Sequence, residues 1–192
     1  MKSVYVLLTR TNTVPARLIH VITGDDYTHA SISLDKDLNG LYSFARRNIH
    51  IPLIAGLIHE NIHTGIFAQN LDAPCVLYEI KVSDDIYGDI KSGIEHMMRH
   101  YDLYRYNFIG LAMNFFGIPY GRKHHFLCSQ FVAHILEKYG ALSFDKNVNL
   151  IKPVDFCNLP ELNEVYRGSL RYVKLYSVKQ DIIDYDMAKA AL

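Results

Sequence analysis

The chain has no excess of either charge. Twenty lysines and arginines balance twenty aspartates and glutamates over 192 residues, which removes the reason to expect nucleic acid or an anionic membrane as a partner. Cysteine is scarce. Cys75, Cys128 and Cys157 are too few and too scattered for a disulfide framework. Long apolar runs are missing as well: residues 4–8 are far short of a signal-peptide core, and 108–118 are about half of a bilayer span. No integral membrane segment is therefore expected. There are no repeats or low-complexity segments. A glycine-rich phosphate loop is excluded too, because Gly110, Gly117 and Gly121 are wrongly spaced and no G-K-[ST] follows. These absences predict a cytoplasmic, reduced, single-domain protein over 1–192, long enough to bury a proper core. What the chain does have in number is histidine, at ten, a residue that would charge it only in mildly acidic conditions.

Alternating and β-rich runs predict strands over 3–9, 27–34, 41–45 and 75–82, the second and third joined as a hairpin by a polar turn over 35–40. Thr13 and Pro15 read as the cap and first turn of a helix over 16–22 ending at Gly24. Further helices are expected within 53–62, over 84–101 from the spacing of Ile86, Ile90, Ile94, Met97 and Met98, and over 108–118, where the helix should be buried. A loop through Lys152 and Pro153 leads to a last strand over 170–178. A surface helix or frayed tail should close the chain over 181–192.

Residues 125–140 hold the most informative stretch. Cys128, Phe131, Val132, Ile135, Leu136 and Tyr139 recur at helical spacing and share a face, with Gly140 as the stop. Cys128 stands at the front of that helix, where unpartnered N–H groups and the positive end of the dipole favour a thiolate. Taken alone, it also suits a small buried residue in a helix seam. An imidazole changes that balance. His29 stands in a strand of small and apolar residues, where packing does not call for it. A thiolate at a helix start and an imidazole projecting from the sheet beneath it form a nucleophile–base pair.

The strand Thr28-His29-Ala30-Ser31-Ile32-Ser33, followed by Leu127-Cys128-Ser129-Gln130-Phe131-Val132, resembles the circularly permuted papain-like hydrolases of the NlpC superfamily. The similarity is greatest to the YiiX-like branch, with lecithin retinol acyltransferase a more distant relative. Tyr104-Arg105-Tyr106-Asn107 and Lys152-Pro153-Val154-Asp155-Phe156 add to it, so the resemblance spans roughly residues 29–156. It implies an α+β, permuted NlpC-type papain-like fold with an antiparallel sheet packed against the cysteine helix. Cys128 is then the nucleophile, His29 the base and Tyr106 a substrate or oxyanion contact. The family places His, Glu, Asp or Gln at an orienting position on the strand after the histidine. Here that strand, Leu41-Tyr42-Ser43-Phe44-Ala45, offers Ser43 or the Tyr42 hydroxyl. Asp35 and Glu60 are substitutes, although a carboxylate in a loop is ordinarily just solvated.

A rival pattern is His59-Glu60-Asn61-Ile62-His63, an H-E-x-x-H in which two histidines one helical turn apart bind zinc and the glutamate activates water. Its third ligand is missing: position 69 is Gln69, and Glu79 lies in a strand-like run. His124-His125 and His96/His100 read as structural, as do Cys75 and Cys157. The function expected is a thiol hydrolase that opens an amide, isopeptide or ester through a Cys128 thioester, without a cofactor, on a peptide or lipid-acyl substrate. A zinc hydrolase on His59 and His63, and a catalytically weak papain-like binding module, are the alternatives.

Overall fold

The computed structural model describes residues 1–10, 24–48, 51 and 54–175. The helix expected over 16–22 and the tail over 181–192 lie outside these residues. Eight strands are present among them: β1 (Lys2–Thr9), β2 (His29–Ser33), β3 (Leu41–Arg46), β4 (Ala55–Glu60), β5 (Pro74–Val82), β6 (Arg105–Tyr106), β7 (His125–Phe126) and β8 (Asn163–Ser169). Six form one antiparallel sheet in the order β4-β3-β2-β1-β5-β8. The short β6 and β7 pair in parallel beside it. The chain is thus α+β with a large antiparallel sheet.

Both faces of the sheet are covered, so β1 is apolar along almost its whole length. Val4, Val6 and Leu8 point to one core with Ala30, Ile32, Phe44 and Leu57. Tyr5 and Leu7 point to the other with Leu41, Leu77, Phe67 and Leu170. The period of two sorts each strand between these cores. The first core is closed by helices α2 (Asp84–Arg99) and α4 (Cys128–Lys138), and the second by the short α1 (Gly65–Ala68) with the turn 170–172.

Local chemistry sets the helix ends. At α2 the Ser83 hydroxyl accepts from the Ile86 N–H, with Asp84 and Asp85 in the first turn and Arg99 in the last, as the dipole favours. Helix α4 packs Phe131 against Phe44 with ring centres 5.2 Å apart. It stops at Gly140, whose φ of 73° suits glycine. Helix α3 (Phe108–Phe115) is capped by the Asn107 side chain, which accepts from the Gly110 N–H at 2.9 Å. A side chain at Gly110 would run into that cap.

Three expectations are corrected. Residues 55–60 are a strand rather than part of a helix: Gly56 is a poor helix former, and the run pairs along the whole of β3. Helix α3 is not buried; only Gly110 and Asn114 face inward, while Phe108, Ile109 and Phe115 stand in the open. The last strand among the described residues is β8, ahead of the position expected, and residues 170–172 are a 3-10 turn. Among the described residues, no helix is long and apolar enough to cross a membrane.

Candidate active site

Cys128 is the first residue of α4, and His29 opens β2 where that helix crosses the sheet. The fold brings them together: the sulfur is hydrogen-bonded to the His29 ring and also receives the backbone N–H groups of Ala30 and Ser129. On its other side the ring meets a carboxylate. His29 Nε2 lies 3.0 Å from Glu60 Oε1, with side-chain exposures of only 14% and 9% for the pair. The second carboxylate oxygen, Oε2, accepts the Ser31 hydroxyl at 2.5 Å. With Nε2 engaged by Glu60, Nδ1 is the ring nitrogen left for the sulfur.

Each group shifts its neighbour. Burial alone pushes Cys128 up, but the bond and charge of His29, with the two backbone N–H groups, bring it below the ordinary thiol value. Burial alone pulls His29 down. The Glu60 charge and the sulfur outweigh this and hold it well above the usual imidazole value. Glu60 is raised by burial and more than offset by His29, Ser31 and Ser43, ending low. All three shifts favour the charged forms: thiolate, imidazolium and carboxylate, in a row.

Glu60 lies on a strand rather than in a loop. It sits at the end of β4, two strands from β2, and reaches diagonally over β3. Ser31 and Ser43 are fully buried and small, and leave room for the carboxylate. Ser43, expected as the orienting group, stands beside Glu60 and favours its charged form, without a well-aligned hydrogen bond of its own. Asp35 is elsewhere, accepting the Asn39 and Gly40 N–H groups in the hairpin turn. The H-E-x-x-H geometry is absent because a strand sends His59 and Glu60 to opposite faces. His59 donates to the Asn39 carbonyl, and His63 is exposed in the turn beyond. No group of three or more metal-ligating side chains occurs among the described residues.

No protein-family model matches the chain, and no curated protein matches it.

A groove of about 270 Å³ leads to the sulfur. Leu111, Phe115 and Phe116 from α3 and its end form one wall, and Ile151 and Pro153 the other. Tyr106 lines it beside Cys128. Burial first, and the nearby sulfur second, raise its phenol, so the hydroxyl keeps its proton and can donate. The Cys128 N–H, at the first helical position, has no intrahelical partner and is a second donor at that spot. The head of α4 is anchored to the opposite wall. Ser129 Oγ donates to the Ile151 carbonyl at 2.6 Å, and Gln130 Nε2 to the Asn149 carbonyl at 2.7 Å. Lys152 and Pro153, part of the motif after the helix, therefore border the groove. His124 and His125 do not line it. Cys75, buried in β5, is pushed up to about 12 by burial and is chemically quiet, and Cys157 is raised in the same direction.

Proposed function

We propose that the chain is a thiol hydrolase of the circularly permuted papain-like type, which opens an amide, isopeptide or ester bond. The observation that carries this reading is the buried row Cys128–His29–Glu60 at the head of one helix, with a groove ending on the sulfur. Cys128 attacks the acyl carbon, and the carbonyl oxygen becomes an oxyanion facing the Cys128 N–H and the Tyr106 hydroxyl. His29 passes its proton to the leaving nitrogen or oxygen as the acyl–heteroatom bond breaks, which leaves a thioester. A water then gives a proton to His29 and adds to the thioester carbonyl. Release of the thiolate regenerates the ion pair and frees the acid. Glu60 stays ionised throughout and keeps the ring aimed.

The apolar walls favour an acyl group with an apolar substituent over a strongly charged one. The reading as a weak binding module relied on Ser43 as the orienting group, and the Glu60 contact removes that ground. The test is intact-mass analysis after exposure to p-nitrophenyl esters of graded chain length. An acyl adduct on Cys128 that turns over in the native chain, and is lost in Cys128→Ala, is the expected result. An adduct that persists in Cys128→Ala refutes the mechanism.

A further inference from the structure

Away from the sulfur, a cavity of about 630 Å³ opens between α2, the segment entering β7 and the second half of α4. Four cations line it: Arg99 from α2, Arg122 and Lys123 before β7, and Lys138 at the end of α4. Asp89 is the one carboxylate among its lining residues. None of the four cations forms an ion pair with a carboxylate among the described residues. The four cations are exposed, and Lys138 stacks on the Tyr139 ring with its Nζ 5.0 Å from the ring centre, so solvent screens them. With no carboxylate paired to them they still leave a locally positive cleft in a chain without net charge. His96 and His124, from the two histidine pairs of the sequence, face the same space. His124 is held at a φ of 60°, a conformation costly for a residue with a side chain, and its ring packs 5.0 Å from that of Tyr104. Burial first and the Lys138 charge second lower His134 at the cavity wall, which fits an electropositive surrounding.

We propose that this cleft binds a small ligand carrying several linked phosphates, with Arg99 and Arg122 gripping phosphate oxygens in bidentate fashion and Lys123 and Lys138 acting as point charges. Several cations without carboxylate partners suit a polyanion, and forked guanidinium groups suit phosphate geometry. The volume lies within the range of small-molecule sites. Four cations gathered around one half-open cleft, rather than strung along the surface, fit a compact polyanion better than a nucleic-acid strand, which is tracked by an extended basic stripe. The cleft is distinct from the groove: His134 and Lys138 stand about 9 and 15 Å along the helix from Cys128, at 1.5 Å per residue. The proposal therefore stands whether or not the hydrolase reading does.

The test is calorimetric titration of the full chain with tripolyphosphate and, separately, with metal-free ATP, at about 150 mM salt to screen diffuse attraction. One saturable site for tripolyphosphate is expected. Its affinity should fall at least about tenfold in the double variant Arg99→Gln/Arg122→Gln, since charge-assisted bonds are lost. It should be unchanged in Lys81→Gln on the remote strand β5. Equal affinity for ATP identifies the phosphate tail as the recognised part, and tighter ATP binding adds a nucleoside contact. Because Arg99 and Arg122 are exposed, the double variant is expected to keep the native circular dichroism. No saturable binding, or a loss of less than tenfold in a folded double variant, overturns the proposal.

Discussion

Replacing Glu60 by Gln isolates the charge behind the ion pair. The side chain keeps its size, and its remaining carbonyl oxygen can still accept from Ser31. Its amide, however, would then face the His29 Nε2–H, which also donates. At the observed 3.0 Å separation, a carboxylate and an imidazolium attract by about 5.5 kcal/mol at an effective dielectric of about 20. Part of this is offset by the cost of burying the charge, so the net loss in Glu60→Gln should be about 2 to 4 kcal/mol. The equilibrium between the thiolate–imidazolium and thiol–imidazole forms moves by the same energy, about 30- to 1000-fold toward the neutral pair. The assay needs no substrate. The rate of iodoacetamide alkylation of Cys128, followed against pH, reports the thiolate directly. The native chain should alkylate well below the usual thiol range, and the variant should show that limb moved up by more than one pH unit. Superimposable profiles would refute the role given to Glu60.

Among the three thiols, peptide mapping after brief alkylation near neutral pH should find Cys128 modified first and Cys75 last, since burial holds Cys75 at about 12. Phe131→Ala, at a fully buried position against Phe44, should lower stability by about 3 to 5 kcal/mol in urea unfolding. Stability should also depend on the carboxylate. Glu60 is depressed in the folded chain, so its contribution is present above the ordinary carboxylate range and is lost as pH falls through the depressed value. His29 is raised, so its contribution is present below about 6.5 and is lost as pH climbs through its elevated folded value. Between neutral pH and about pH 3, Glu60→Gln should therefore show a smaller fall in Tm than the native chain.

The amphipathic spacing around Cys128 and the stop at Gly140 made α4 legible, because one helix face and one cap are local properties. His29 was legible for a similar reason, as an imidazole on a short strand. Glu60 was not. Its part depends on strand order and on a diagonal reach past two buried serines, neither of which a linear pattern carries. The H-E-x-x-H spelling also drew attention to helical spacing, where a period of two separates its first two members. Residues 108–118 misled in another way. Apolar content alone suggested burial, yet the helix turns just a narrow stripe inward and spends its aromatics lining a groove. Neither histidine pair near 96 and 124 signalled a common cavity, which arises only when α2 and α4 pack side by side.

The sulfur belongs to a helix, whereas the imidazole and carboxylate belong to the sheet under it, so the reactive trio is a seam between two layers. Such a seam parts as soon as the layers slip. In a denaturant series, rapid alkylation should vanish at or before the loss of helical ellipticity, which makes reagent sensitivity an early gauge of loosening in this protein.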